Sequence, residues 1–239
     1  MALIENTYTS SVENSPEVDA LSDGVFVCHD QASHLWQLAE DLEAEVFIGS
    51  GYVRTKQELA TDYSKYTNST EMVAYIDGGA VKGAIRIIKF EQGIGFKTID
   101  DSTESDLVID DTGKEFLFVN VDPTRAMEIG TISIEDESRG LTESGIHIST
   151  QLYGAIYESA QRNNVEWLLA SFDEDYLSSF CKIFGPAVTI LGPPKDYMGS
   201  KTVPVVIHVE QALQNIADIG LQDTFDSIRA VGQQLKHEY

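Results

Sequence analysis

Between Glu128 and Phe184 the apolar pattern switches from strand-like to helical and back, and this succession restricts the fold more than any other part of the chain. Ile129, Ile132 and Ile134 sit among small and β-branched neighbours, as in a buried strand, and the run stops in the charged cluster Glu135 to Arg139. A polar turn with Gly140 and Gly145 follows. Leu152, Ala155, Ile156, Ser159 and Ala160 then recur at helical spacing, and Asn163-Asn164 can end that helix in a left-handed cap. Val165 to Phe172 is a second apolar run. Asp173 caps a further helix with Glu174 and Asp175 in its first turn, and Gly185 closes it. Strand, turn, helix, strand, helix is a βαβ unit, and the crossover makes its strands parallel neighbours. A turn feeding a helix N-terminus leaves backbone N–H groups pointing outward, which suits an anion such as the phosphate of a carrier.

The rest of the chain supplies an antiparallel frame. Met1 to Ser22 is polar and is expected to be a flexible leader. Gly24 to Cys28 reads as a first strand, Asp30 to Phe47 as an amphipathic helix, and Lys56 to Tyr66 as a shorter one. Met72 to Ile76 and Val81 to Phe90, joined through Asp77-Gly78-Gly79, form a hairpin. Gln92 to Lys114 is expected to be a long acidic loop, and Phe116 to Val121 a strand. Ala187 to Leu191 and Val203 to Val209 are read as strands, with Pro204 near a strand start or an edge. Glu210 to Ile219 and Thr224 to His237 are read as a C-terminal helical extension. The expected class is α/β (α+β), a mixed central sheet flanked by helices.

The chain has 39 acidic and 16 basic residues, a formal charge of −23. That balance argues against nucleic acid, anionic membrane or an acidic protein as a broad partner. Cys28 and Cys181 form no disulfide framework, and no apolar run approaches the length of a membrane span. A cytoplasmic location is expected. The five histidines show no metal-ligand spacing, so no metal site is expected, and neither a Walker loop nor Gly-x-Ser-x-Gly occurs.

The order of elements, with four local motifs, resembles the GNAT acyltransferase fold, and within it the acyl-homoserine lactone synthases and N-acyl amino acid synthases. The motifs are DLEAEVFIGSGY (Asp41 to Tyr52), GAIRI (Gly83 to Ile87), EIGTISI (Glu128 to Ile134) and LGPPKDYMGSKTVPVVI (Leu191 to Ile207). The resemblance spans roughly residues 23–209. It implies transfer of an acyl group from a phosphopantetheine thioester, on coenzyme A or an acyl carrier protein, to the amine of an amino acid or related small molecule. Two alternatives stay open: an ordinary acetyl-CoA-dependent N-acetyltransferase, and a binding or regulatory protein that keeps the fold without turnover.

The resemblance also carries roles. Glu128 matches the family's central glutamate, a general base acting through water; from its residue type alone it could equally be a strand-end carboxylate in a surface ion pair. Arg86 matches the arginine of the hairpin strand and would hold a substrate carboxylate, or else pair with Glu128 or Asp62. Asp62 would contact the amine. Cys181 stands where many GNAT enzymes have a tyrosine acid, and Tyr176, a turn earlier, would substitute. Backbone at Ile132, Ser133 and Ile134 would meet the pantetheine arm, and Arg139, Gly140, Ser144 and Gly145 its phosphate. Phe47, Phe116, Phe118 and Trp167 are candidates for the acyl-chain wall or for the core. The chain departs from the lactone synthases in having Thr131 for an arginine, and Glu43 and Glu45 for arginines of the first helix.

Overall fold

The computed structural model describes residues 22–104, 107–139, 147–232 and 234–238. The expected leader up to residue 21, and Gly140, Ser144 and Gly145, lie outside the described residues.

Among the described residues the hairpin and βαβ unit are parts of one nine-stranded mixed sheet. Strands β1 (Gly24–Cys28), β2 (Thr70–Asp77), β3 (Ala80–Lys89) and β4 (Ala126–Ile134) are successively antiparallel. β4 pairs β5 (Trp167–Asp173) in parallel, as the crossover requires. Beyond it, β8 (Ser200–His208) runs antiparallel to β5, with β6 (Val188–Ile190) and β7 (Lys195–Tyr197) both on its outer edge. At the opposite edge β9 (Lys236–Glu238) adds parallel to β1.

Alternation along the strands gives the sheet two buried faces. Val73, Ile85, Ile87, Met127 and Ile129 point to one, covered by α5 (Ile148–Arg162), α6 (Glu174–Phe184), α7 (Val209–Asp218) and α8 (Gln222–Gly232). Met72, Ala74, Ile88 and Leu169 point to the other, covered by α1 (His34–Gly49), α2 (Lys56–Tyr63), the start of α3 (Lys97–Glu104) and α4 (Asp111–Asn120). The caps follow the sequence: Ser33, Thr55 and Asp173 each accept a backbone N–H in the first turn, and Asn164 takes the left-handed conformation (φ 53°).

Four expectations need correction. The acidic stretch is no loop, because α3 and the start of α4 lie within it. One of its acids, Asp100, pairs with Lys65 at 2.5 Å and accepts the Tyr66 hydroxyl. Phe116 to Val121 is not a strand; all but the last residue belong to α4. Asp110 starts that helix by accepting the Gly113 N–H at 2.9 Å, and a Cβ at Gly113 would lie 2.0 Å from the Leu191 carbonyl oxygen. Capping and close packing thus override the strand propensity of the aromatic run. Pro204 sits inside β8, away from either end. Its carbonyl accepts Leu191 N–H at 2.9 Å, so its missing donor faces the interruption between β6 and β7. Finally, the helix expected through His237 stops in α8, and Lys236–Glu238 turns back as β9. Ile216, Ile228 and Val231 pack into the main core, so the last helices are part of the domain.

A bulge in β4 shapes the centre of the sheet. Arg86 pairs with Thr131 and Ile87 with Ile129, leaving Gly130 as the extra residue. The bulge puts Glu128 and Thr131 on the same face although they are three residues apart. A side chain at Gly130 would meet the Tyr63 ring at 3.1 Å, so glycine keeps the two backbones and this ring close. The β4–β5 ladder also ends here, at Ile129 opposite Ala170, and the strands diverge beyond it.

Candidate active site

The divergence opens a cleft of about 450 Å³ between β4, β5, the end of α1, Tyr153 of α5 and Tyr176 of α6. Beside it lies a chamber of about 90 Å³ with Glu128 in its wall. Phe47, Tyr52, Gly130, Ser171 and Asp173 line both, so the two spaces adjoin.

Glu128 is 3% exposed. Its partners come from α3: the Thr98 backbone N–H donates to Oε1 and Oε2 at 3.0 and 3.2 Å, and the Thr98 hydroxyl to Oε1 at 2.9 Å. Thr98 Oγ1 also lies 2.9 Å from Ser171 Oγ of β5. Burial raises the Glu128 carboxyl; the Thr98 donors and the Lys97 charge pull it back only in part, and it comes to about 7. A carboxyl poised there can take a proton near neutral pH. It is no surface ion pair.

Lys97, one residue before Thr98, reaches into the same chamber. Its ammonium contacts Asp101 at 2.7 Å and the Tyr197 hydroxyl at 3.0 Å, and lies 5.3 Å from the centre of the Tyr63 ring. The Tyr197 hydroxyl also donates to Asp101. Tyr63 in turn donates to the bulge carbonyl, Gly130 O, at 2.8 Å.

Arg86 stands elsewhere. Its Nε and Nη2 donate to Glu43 Oε1 and Oε2 at 2.9 and 2.6 Å, Nη2 also reaches Glu40 at 3.3 Å, and the guanidinium packs 4.8 Å from the Tyr63 ring centre. Thr131 donates its hydroxyl to Glu43 Oε1. The pair expected with Glu128 or Asp62 is therefore made with Glu43, and the guanidinium fork is closed to a substrate carboxylate. Two departures from the family pattern, Glu43 and Thr131, belong to one buried network.

Asp62 is exposed on α2. Partial burial raises its carboxyl while the Lys97 charge opposes the rise. Tyr176 borders the cleft, and its hydroxyl lies 2.6 Å from that of Tyr153. Burial of that hydroxyl, then the neighbouring Tyr153, hold the phenol well above its ordinary range, so it keeps its proton. Cys181 is half-buried against the main core, its thiol raised by burial. Ile132, Ile134 and Arg139 line the cleft, whereas Ser133 is buried and is not among the lining residues. Arg139 is paired with Asp136 at 2.8 Å.

Of the expected acyl-wall residues, only Phe47 borders these spaces. Phe116 and Trp167 pack edge to face on the α4 side, and Phe118 is 91% exposed. The apolar space next to the cleft lies instead behind Ile129, Ile132, Tyr153 and Phe172, and runs toward Phe180 and Leu213. Among the described residues no group of three His, Cys, Asp or Glu is placed to hold a metal ion, and no helix is long and apolar enough to cross a membrane.

The fold is that of known acyl-transferring synthases. The chain superposes on FeeM, an N-acyl amino acid synthase from uncultured soil microbes, with a TM-score of 0.60 at 13% identity, covering 83% of this chain and 98% of that one. It superposes on BjaI, a CoA-dependent acyl-homoserine lactone synthase solved with SAM and isopentyl-CoA, with a TM-score of 0.53 at 14% identity, covering 91% and 94%. No family model and no curated protein matches the sequence. The architecture is thus the GNAT-like one that the sequence motifs suggested.

Lys97, Thr98, Asp101 and Tyr197 were not among the residues that sequence reasoning selected. The first three sit in the stretch expected to be a loop. Lys97 and Asp101 are an i,i+4 pair, a helical signal that the surrounding acids obscured.

Proposed function

We propose that this protein is an N-acyltransferase that moves an acyl group from a phosphopantetheine thioester, carried by coenzyme A or an acyl carrier protein, to the amine of a small molecule. The observation that supports it best is Glu128: a buried carboxyl raised to about 7, without an ion pair among the described residues, in the wall of a chamber adjoining the cleft where β4 and β5 part.

In this reading the donor's pantetheine arm lies along the free edge of β4 at Ile132 to Ile134, where β5 has diverged, and the thioester reaches Gly130. Arg139 receives the phosphate; Gly140, Ser144 and Gly145, proposed with it from the sequence, lie outside the described residues. The acyl chain enters the apolar space behind Ile129, Tyr153 and Phe172. Acceptor enters the Glu128 chamber as an ammonium, with Asp62 outside it. Glu128 takes one proton, directly or through water, and the freed nitrogen lone pair attacks the thioester carbonyl carbon. The C–N bond forms and the C–S bond breaks. The second nitrogen proton ends on the departing sulfur, relayed by Tyr176, so the products are an amide and a thiol, with one proton left on Glu128 for solvent. Arg86 acts as a positioning residue, holding α1 against β4 through Glu43 and Thr131.

The sealed Arg86 fork favours a second reading, a GNAT-shaped binding protein without turnover. One experiment separates them: incubate the protein with acetyl-CoA, long-chain acyl-CoA and acyl carrier protein and a panel of amines and amino acids, then look for amide by mass spectrometry. Product that Glu128→Gln abolishes supports the transferase; binding of a donor without product supports the second reading.

A further inference from the structure

We infer that the acceptor is an amine without a carboxylate next to its nitrogen, so that the protein prefers a primary amine to the corresponding α-amino acid. This rests on the transferase reading above and concerns the chamber beside Glu128.

Where a side chain recognises a buried substrate carboxylate by charge, it is an available lysine or a bidentate guanidinium. All 16 lysines and arginines of the chain fall within the described residues. Of these only Lys97 lines the chamber and only Arg139 the cleft. Lys97 is already matched by Asp101 at 2.7 Å and held by the Tyr197 hydroxyl. Arg139 is on Asp136, and Arg86, whose guanidinium packs on the Tyr63 ring of the chamber wall, is closed by Glu43. Against that one matched lysine the chamber sets three carboxylates, Glu128, Asp101 and Asp173. Its walls include the rings of Tyr63 and Tyr197, which already lie 5.3 and 5.7 Å from the Lys97 ammonium. Carboxylates and aromatic faces attract an ammonium group and repel an anion, so the pocket selects by repulsion as well as attraction. The i,i+4 ion pair is therefore a specificity device: Asp101 neutralises the one charge that could otherwise have received an α-carboxylate.

Matched acceptors test this directly. The full chain is assayed with acetyl-, octanoyl- and hexadecanoyl-CoA and with octanoyl carrier protein, on tyramine against tyrosine, 2-phenylethylamine against phenylalanine, and butane-1,4-diamine against ornithine. The expected result is a kcat/KM at least about tenfold higher for the amine than for its amino acid in the pairs that react. Equal or higher values for the amino acids would overturn the inference and leave the transferase intact. Acylation of no acceptor by any donor would overturn the transferase reading itself, and the acceptor class with it. Asp101→Asn, checked for native circular dichroism, should free Lys97 and narrow the amine-to-amino-acid ratio by about tenfold, with the rate on amino acids rising. An unchanged ratio in that variant would contradict the role given to Asp101, since a merely structural role predicts no gain on either substrate.

Discussion

Glu71 on β2 and Glu128 on β4 are buried to the same degree in the same sheet, yet the protein treats them oppositely. Glu71 accepts from Lys89 at 2.9 Å, from Arg162 at 3.2 and 3.3 Å and from Ser159 at 3.1 Å, and His29 Nδ1 lies 3.2 Å away. Burial pushes its carboxyl up, but those cations outweigh burial and hold it below the ordinary value. Glu128 receives only the neutral donors of Thr98 and rises to about 7. Burial alone therefore does not make a base. The difference is a cation in direct contact: Glu71 and Glu43 each have one, whereas Glu128 forms no ion pair among the described residues and feels the charge of Lys97 only without pairing with it.

The sharpest break of this comparison is in activity. Glu128→Gln should lower kcat/KM by about 10² to 10⁴-fold while the far-ultraviolet circular dichroism stays native. Retention of activity within a few-fold would remove Glu128 from the chemistry. Arg86→Ala tests the opposite kind of glutamate: it strands Glu43 in the core and should cost about 3–5 kcal/mol in urea unfolding. A loss below about 1 kcal/mol would mean that the network of Arg86, Glu43 and Thr131 is not structural.

The two glutamates should also give stability opposite dependences on pH. Folded Glu128 holds its proton up to about pH 7, whereas an unfolded glutamate loses it near 4.5. Between those values the folded state binds more protons, so this group lowers stability as pH rises from about 4.5 to 7, and the deficit stays above 7. Glu71 has the reverse sign: its contribution is present above 4.5 and is lost as pH falls through its lowered folded value. Thermal melts should show Glu128→Gln gaining on the wild type at pH 8 and not at pH 4.5. Glu71→Gln should lose most at pH 8 and least in acid. Equal pH profiles for the two variants would refute the contrast. The smallest effect is expected at Phe118→Ser, within about 0.5 kcal/mol of wild type and with unchanged acyl-chain preference, because that ring faces solvent on α4.

The sequence makes the frame of the molecule readable, and some of its site. The βαβ unit was readable because Asp173, Asn163-Asn164 and Gly185 punctuate clear periods, and Glu128 because it leads the central strand. What was hidden depends on contacts distant in the chain. The strand-like run at Phe116 becomes helix only because Asp110 caps it and Gly113 can sit against Leu191. Arg86 looks like an open anion site until α1 brings Glu43 over it. The bulge at Gly130, which aligns Glu128 with Thr131, gives no more sequence signal than a glycine in a strand. Lys97, Thr98 and Asp101 acquire meaning only once α3 docks its first turn on β4.

The most direct test is the titration of Glu128 itself, followed by NMR on protein labelled with ¹³C at glutamate carboxyls, its resonance assigned from the signal missing in Glu128→Gln. The account predicts a titration centred on about 7, distinct from the other glutamates. A value at or below 4.5 would show Glu128 to be as ionised as Glu71 and would contradict its role as the base.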